Sequence, residues 1–232
     1  MQLRILYKDD SIVVVDKPAG FEVHPRESGE GNPKRTCLSL LTKQILQKPF
    51  PAHRLDRATA GVLVFTLNAE AAAKVQNQFQ EHLAEKVYYC VARGWIEKNL
   101  RIDTPLRDER DQEQTAITKV ELIAHAELPI ACGRYETIRL SLLRVQPESG
   151  RFHQIRRHLA SISHPILGDP RHGDKKLNRI FAEHTGVKRL LLQAHSLRIH
   201  HPTSGEMIRF QSRWTKDWHS IFEIFCFCPL GN

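Results

Sequence analysis

Nine residues, His53-Arg54-Leu55-Asp56-Arg57-Ala58-Thr59-Ala60-Gly61, set one carboxylate between two guanidinium groups just ahead of an apolar run, Val62-Leu63-Val64-Phe65. Arg54 and Arg57 favour the ionised form of Asp56. A charged acid on a loop carried by a rigid scaffold is a group able to act as nucleophile or base. Structural ion pairs have the same local signature, so the rest of the chain has to decide between the two. A second chemistry-bearing block lies downstream, Gly150-Arg151-Phe152-His153-Gln154-Ile155-Arg156. With 3.6 residues per turn, a helix over 151–163 places Phe152, Ile155, Leu159 and Ile162 on one buried face. Arg156 flanks that face and Arg157 points to solvent. A half-buried arginine requires a carboxylate or polyanion, because leaving it unpaired costs several kcal/mol. Asp56 is one candidate partner, and a structural carboxylate elsewhere would serve equally.

The elements that must position these groups are legible by period. Leu3–Tyr7 and Ile12–Asp16 read as strands joined by a polar turn, and Asp16-Lys17-Pro18-Ala19-Gly20 as a rigid turn in which Pro sets φ and Gly permits a positive one. Residues 26–35 are polar and read as a loop. Apolar positions at helical spacing predict a helix over 36–48 and another over 69–84, the latter capped by Asn68 with Ala72, Val75, Phe79 and Leu83 as its buried stripe. Strands are expected at 62–67, 86–92, 116–123, 135–146, 190–199 and 206–212. A short helix at 175–184 should end at Gly186, and Trp214, Trp218, Ile221, Phe222 and Phe225 form a last helical stripe. Residues 97–114, alternating in charge, read as a solvated insertion. Consecutive strands outnumber helices, which predicts an α+β fold with a mixed, mostly antiparallel sheet flanked by helices.

The chain has 232 residues, 34 basic and 26 acidic, for a net charge of +8 with 13 histidines besides. That balance favours a polyanionic partner. No apolar run approaches a membrane span and the N-terminus lacks the apolar core of a signal peptide, so a cytoplasmic protein without membrane contact is expected. The five cysteines show neither disulfide nor metal spacing and are expected reduced. No Gly-rich phosphate loop follows a strand, so no nucleotide cofactor is expected.

Taken in order, four blocks resemble the RluA-type RNA pseudouridine synthases: Asp16-Lys17-Pro18-Ala19-Gly20, His53-Arg54-Leu55-Asp56 with Thr59-Ala60-Gly61, Lys86-Val87-Tyr88, and Gly150 to Arg156. His195-Ser196-Leu197 and His201-Pro202-Thr203-Ser204-Gly205-Glu206 extend the match over about residues 3–210. Each block is weak alone and the ordered set is strong. Ala60 departs from the family, which usually has Ser there. His164-Pro165-Ile166-Leu167-Gly168-Asp169 with His172-Gly173-Asp174, where most relatives carry Tyr-Gly, is similar to a branch acting on uridine 65 of tRNA. Ribosomal RNA is the alternative substrate within the family.

The resemblance implies a pseudouridine synthase catalytic fold with a central RNA-binding cleft. It spans 1–232 as one catalytic domain without an S4-type RNA-binding domain. It implies Asp56 as the catalytic aspartate, with Arg156 pairing with it and keeping it charged. Tyr88 would stack on the base and help remove the C5 proton, and Arg54 would fill the gap left by a flipped nucleotide. His53, Arg57, Arg151 and Gln154 would complete the substrate-binding set, with further basic contacts from Arg26, Lys34 and Arg35 and from Arg171, Lys175 and Lys176. Isomerising uridine breaks N1–C1′ and joins C5 to C1′. A carboxylate can attack C1′, abstract a sugar proton, or add to the base at C6, and each route needs an ionised acid in a water-poor pocket. The reaction has no net redox change, so no cofactor and no metal are expected. The partner is RNA, with no protein partner implied and a monomer expected. A metal-dependent hydrolase is disfavoured because the histidine spacings match no metal signature. A non-catalytic RNA-binding module is disfavoured because Asp56, Tyr88 and Arg156 are all retained.

Overall fold

The computed structural model describes residues 1–25 and 36–229. The expected loop at 26–35, with Arg26, Lys34 and Arg35, lies outside the described residues. In chain order the elements are β1 (Arg4–Lys8), β2 (Ile12–Lys17), α1 (Cys37–Ile45), β3 (Phe50–Pro51), β4 (Ala60–Thr66), α2 (Ala69–Gln80), β5 (Glu85–Arg93) and β6 (Leu100–Ile102). They continue as β7 (Leu106–Arg107), β8 (Glu113–Gln114), β9 (Thr118–Leu128), β10 (Ile138–Pro147), α3 (Gln154–Ser161), α4 (Lys175–Thr185), β11 (Leu192–His200), β12 (Met207–Gln211) and α5 (Lys216–Ile224). The fold is α+β, as the order of strands and helices predicts. The chain forms two compact units, Met1–Lys86 with Ala194–Ser212, and Val87–Gln193 with Arg213–Asn232.

In the first unit β1, β2 and β4 pair antiparallel in sequence, β3 adds to β4, and β11 pairs antiparallel with β12. Ile12, Val14, Val62, Val64, Val75, Leu197, Ile199 and Phe210 make its core. Helix α1 begins in a capping box in which Thr36 and Ser39 satisfy each other's backbone amides. Asn68 caps α2 by accepting from the Ala71 amide at 2.8 Å, as expected. The expected buried stripe of α2 is corrected at its end. The helix stops at Gln80, Leu83 is 50 % exposed, and Gln78 takes a buried place. Its carboxamide exchanges two bonds with the backbone of His200, at 2.7 and 2.8 Å, which is what makes a buried amide tolerable.

In the second unit β5, β10, β9 and β6 are hydrogen-bonded in that order, all antiparallel. Aromatic residues of α5 and its approach, Trp214, Trp218 and Phe222, cover one side of the core with Leu140, Leu142, Leu177 and Phe181. Asp174 caps α4, and Gly186 ends it at φ +75°, the left-handed geometry that glycine adopts without strain. The expected solvated insertion at 97–114 is corrected as well. It contributes β6 to the sheet and the two-stranded β7–β8 ribbon, because Ile102 and Leu106 are buried beneath its charged residues.

Candidate active site

The Asp56 loop leaves β3 and re-enters the sheet at β4. Leu55 and Thr59 are buried, Arg54 and Arg57 are exposed, and Asp56 is half-buried between them. The Thr59 amide donates to the Asp56 carbonyl at 3.1 Å, closing a tight turn beneath the carboxylate. Gly61 follows at φ +128°, and a Cβ there would lie 2.0 Å from the Ala194 carbonyl oxygen. Glycine is therefore what lets the loop return to the sheet this close to β11. Ala60, buried like its neighbours, starts β4.

The turn Asp16–Gly20 is bound to this loop. The Gly20 amide donates to the Arg57 carbonyl at 2.7 Å, and Arg57 Nε donates back to the Gly20 carbonyl at 3.1 Å. Beneath both lies Lys17, 1 % exposed. Its ammonium donates to the carbonyls of Phe21, Pro18 and Arg57 at 2.7, 3.1 and 3.2 Å, the full donor complement of the group. Burial lowers its pKa to about 8, against the favourable fields of Cys37, Asp56 and Glu22. The turn reading of Lys-Pro-Ala-Gly did not reveal this cation. The available signal was a lysine closing a strand of four valine and isoleucine residues, Ile12-Val13-Val14-Val15, all fully buried.

His53 is held by the scaffold. Its Nε2 accepts from the Val64 amide at 3.1 Å, and its ring stacks on Phe79 at 4.5 Å. Burial, with the nearby Lys86, lowers its pKa to about 3, so the imidazole is neutral and locks the loop to β4.

In the second unit Tyr88 sits on β5 opposite Val145. Its neighbour Tyr89 packs edge-on against Trp214 at 5.1 Å in the core. Alternation along a strand therefore sends Tyr88 to the other face. Arg151 is exposed and its Nε donates to the Thr115 carbonyl. Gln154 is buried and uses its full hydrogen-bonding capacity, accepting from Ser149 Oγ and the Arg151 amide and donating to the Ile117 carbonyl and Thr118 Oγ1. It ties the Arg151 backbone to β9.

The helix expected over 151–163 begins later, at Gln154. His153 adopts φ +54°, which a helical residue cannot, so Arg151–His153 form a separate turn and Phe152 is 42 % exposed rather than buried. Arg156 is indeed against the core at 4 % exposure, and Asp169, fully buried, is a carboxylate that meets it. Nε donates to Oδ2 at 2.7 Å and Nη2 to Oδ1 at 2.8 Å, a forked pair. Burial opposes ionisation of Asp169. The bonds from Arg156 and from the amides of His172 and Arg171 outweigh it and hold the carboxyl below its ordinary range. In the chain Asp169 closes the block His164-Pro165-Ile166-Leu167-Gly168-Asp169 that follows the helix, and nothing in its spacing marks it as the partner of Arg156.

A prediction follows from this pair. Arg156→Met leaves a fully buried carboxylate without its fork and should cost about 3–5 kcal/mol, read as a melting temperature lower by roughly 10 °C. Arg157→Met, on the half-exposed side, should melt like the unaltered protein. The lowered pKa of Asp169 also gives a sign. The unfolded chain takes up the proton more readily, so this contribution is complete above the ordinary carboxylate pKa and lost as pH falls through the lower, folded value. Arg156→Met should flatten that acid-side loss in melts measured against pH.

Residues 11–161 match the family described as RNA pseudouridylate synthase. The chain is 39 % identical to tRNA pseudouridine synthase C of Yersinia pestis, covering 96 % of this chain and 91 % of that protein. It is 40 % identical to tRNA pseudouridine synthase C of Vibrio cholerae, over 96 % of each. Among solved structures, human RNA pseudouridylate synthase domain containing 4 superposes with a TM-score of 0.75 at 21 % identity, covering 96 % of this chain and 93 % of that one. The chain belongs to the RNA pseudouridylate synthase family. It is an isomerase with that family's fold.

Proposed function

We propose that this enzyme converts one uridine of tRNA to pseudouridine, with uridine 65 as the target, and that Asp56 carries the chemistry. The observation that supports this most directly is the Asp56 loop itself. A half-buried carboxylate stands between two exposed arginines, on a turn fastened by Gly20, Lys17 and His53. The relatives named tRNA pseudouridine synthase C, similar along nearly the whole chain, support tRNA over ribosomal RNA. Arg54, Arg57 and Arg151 are exposed and meet the RNA, while His53 and Gln154 act through the segments they hold. Tyr88 stacks on the base and assists loss of the C5 proton, and Arg156 supplies a fixed positive charge.

In the balanced reaction the N1–C1′ bond breaks, the base turns, C5 joins C1′, C5 loses its proton and N1 gains one. No helix among the described residues is long and apolar enough to cross a membrane, and we place the enzyme in the cytoplasm with its substrate. The test is a protein-free tRNA transcript labelled with tritium at uridine C5. One equivalent of tritium should be released per tRNA, and the product should map to position 65. Robust release from naked ribosomal RNA with none from any tRNA would overturn the reading.

A further inference from the structure

Two short segments of the second unit meet at its surface, the turn Phe152-His153 ahead of α3 and the pair Arg171-His172 beyond Asp169. The Phe152 ring, 42 % exposed, stacks on the His153 ring at a centroid distance of 3.8 Å and an angle of 19°. His153 Nδ1 and His172 Nε2 lie 2.9 Å apart and share a hydrogen bond, their rings nearly perpendicular. The Arg171 guanidinium lies 5.5 Å from the centre of the Phe152 ring. The group is rigid from below. Oδ1 of Asp169 accepts from the amides of both Arg171 and His172, at 2.9 and 3.0 Å, while the same carboxylate is forked to Arg156 of α3.

An aromatic ring that served only to cover the core would be turned inward. This one stands outward, flat against a second ring that is bonded to His172, whose amide rests on the buried ion pair, and an arginine guanidinium lies over it. Arg171 is exposed, and so is Arg151, the residue before Phe152. A stacked aromatic pair with a guanidinium beside it matches a nucleotide, whose base offers a π-face and whose phosphate offers an anion.

We propose that Phe152 and His153 form a stacking platform for an unpaired base of the RNA substrate, with Arg171 taking the adjoining phosphate and His172 fixing the plane of His153. This rests on the reading of the enzyme as one acting on tRNA. The platform makes Phe152 a determinant of substrate affinity rather than of the chemical step.

The full-length protein tests this by steady-state kinetics on a tRNA transcript. Phe152→Leu keeps an apolar side chain but removes the flat face, and should raise KM by about ten-fold with kcat within a factor of three. Phe152→Trp, which enlarges the face, should keep KM at or below that of the unaltered enzyme. Arg171→Gln should raise KM and reduce its log–log dependence on salt by about 0.7–0.9, the slope of one phosphate. If Phe152→Leu matches the unaltered enzyme while that enzyme modifies tRNA, the platform is wrong and the proposed function stands. If the Leu and Trp variants lose affinity equally and both melt early, the ring is a packing element and the platform is again wrong. If the unaltered enzyme neither binds nor modifies any tRNA, the function proposed above fails and takes the platform with it.

Discussion

Asp56→Asn is expected to abolish isomerisation, lowering the rate of tritium release by at least about a thousand-fold, while the protein folds and binds RNA as before. The amide is nearly isosteric with the carboxylate but can neither attack C1′ nor accept a proton from the sugar. The loop should survive the change. Its shape comes from buried Leu55 and Thr59, from the Thr59 amide donating to the Asp56 carbonyl, and from the bonds between Gly20 and Arg57, none of which involves the Asp56 side chain. The melting temperature should therefore stay within a few degrees, and the affinity for a tRNA transcript within about two-fold, since one charge on a +8 protein is exchanged at a half-buried position. The measurements are tritium release under single-turnover conditions, a thermal melt and a gel shift. Residual turnover within ten-fold of the unaltered enzyme would remove Asp56 from the mechanism.

Lys17→Met should have the second largest effect, and here the magnitudes separate two readings. With its pKa near 8 rather than 10.5, the buried ammonium costs folding roughly 3 kcal/mol at neutral pH. In sign, this cost is fully present below pH 8 and is relieved as pH rises toward 10.5, because the unfolded chain then holds the proton more firmly than the folded one. Methionine removes that cost and with it three hydrogen bonds from a charged donor, each worth about 1–3 kcal/mol. The terms largely offset, so the melting temperature should move by only a few degrees. Activity should not be spared in the same way. One of the three bonds fixes the carbonyl of Arg57, the residue next to Asp56, and a displacement of about 1 Å at a reacting group costs on the order of a hundred-fold in rate. We expect kcat to fall by about that factor with KM nearly unchanged. The kcat of the unaltered enzyme should decline as pH passes about 8, where Lys17 loses its proton, and the variant should lack that decline. A kcat within two-fold of the unaltered enzyme would show that Lys17 does not position the loop.

What was legible in the chain by itself rests on short-range physics. A run of β-branched residues marked β2, β-branched and aromatic content marked β5, 3.6-residue spacing marked α1 and α2, and the caps Asn68 and Gly186 stood where local hydrogen bonding and φ require them. The acid between two arginines before a buried strand marked the Asp56 loop, and the ordered blocks marked the family. Local spacing also placed Arg156 against the core and Arg157 away from it. The tertiary structure alone decided the rest, because partners distant in sequence override local preference. Periodicity carried α3 back to Arg151, but the turn Arg151–His153, tied to β9 through Gln154, delays the helix and leaves Phe152 outside. It carried α2 on to Leu83, whereas the helix ends at Gln80 and the buried position goes to Gln78, whose two backbone partners lie 122 residues away. Charge alternation made 97–114 look solvated, while pairing with β9 draws Leu100–Ile102 into a sheet. The two buried charges beside the candidate catalytic groups could not be foreseen from spacing at all. Lys17 is acceptable inside only because three carbonyls converge on it, one of them 40 residues further along the chain. Asp169 is acceptable because Arg156, 13 residues earlier, turns its fork toward it and the amides of Arg171 and His172 donate to it. A buried charge is stabilised by where the folded chain brings its partners, and that is a property of the tertiary structure.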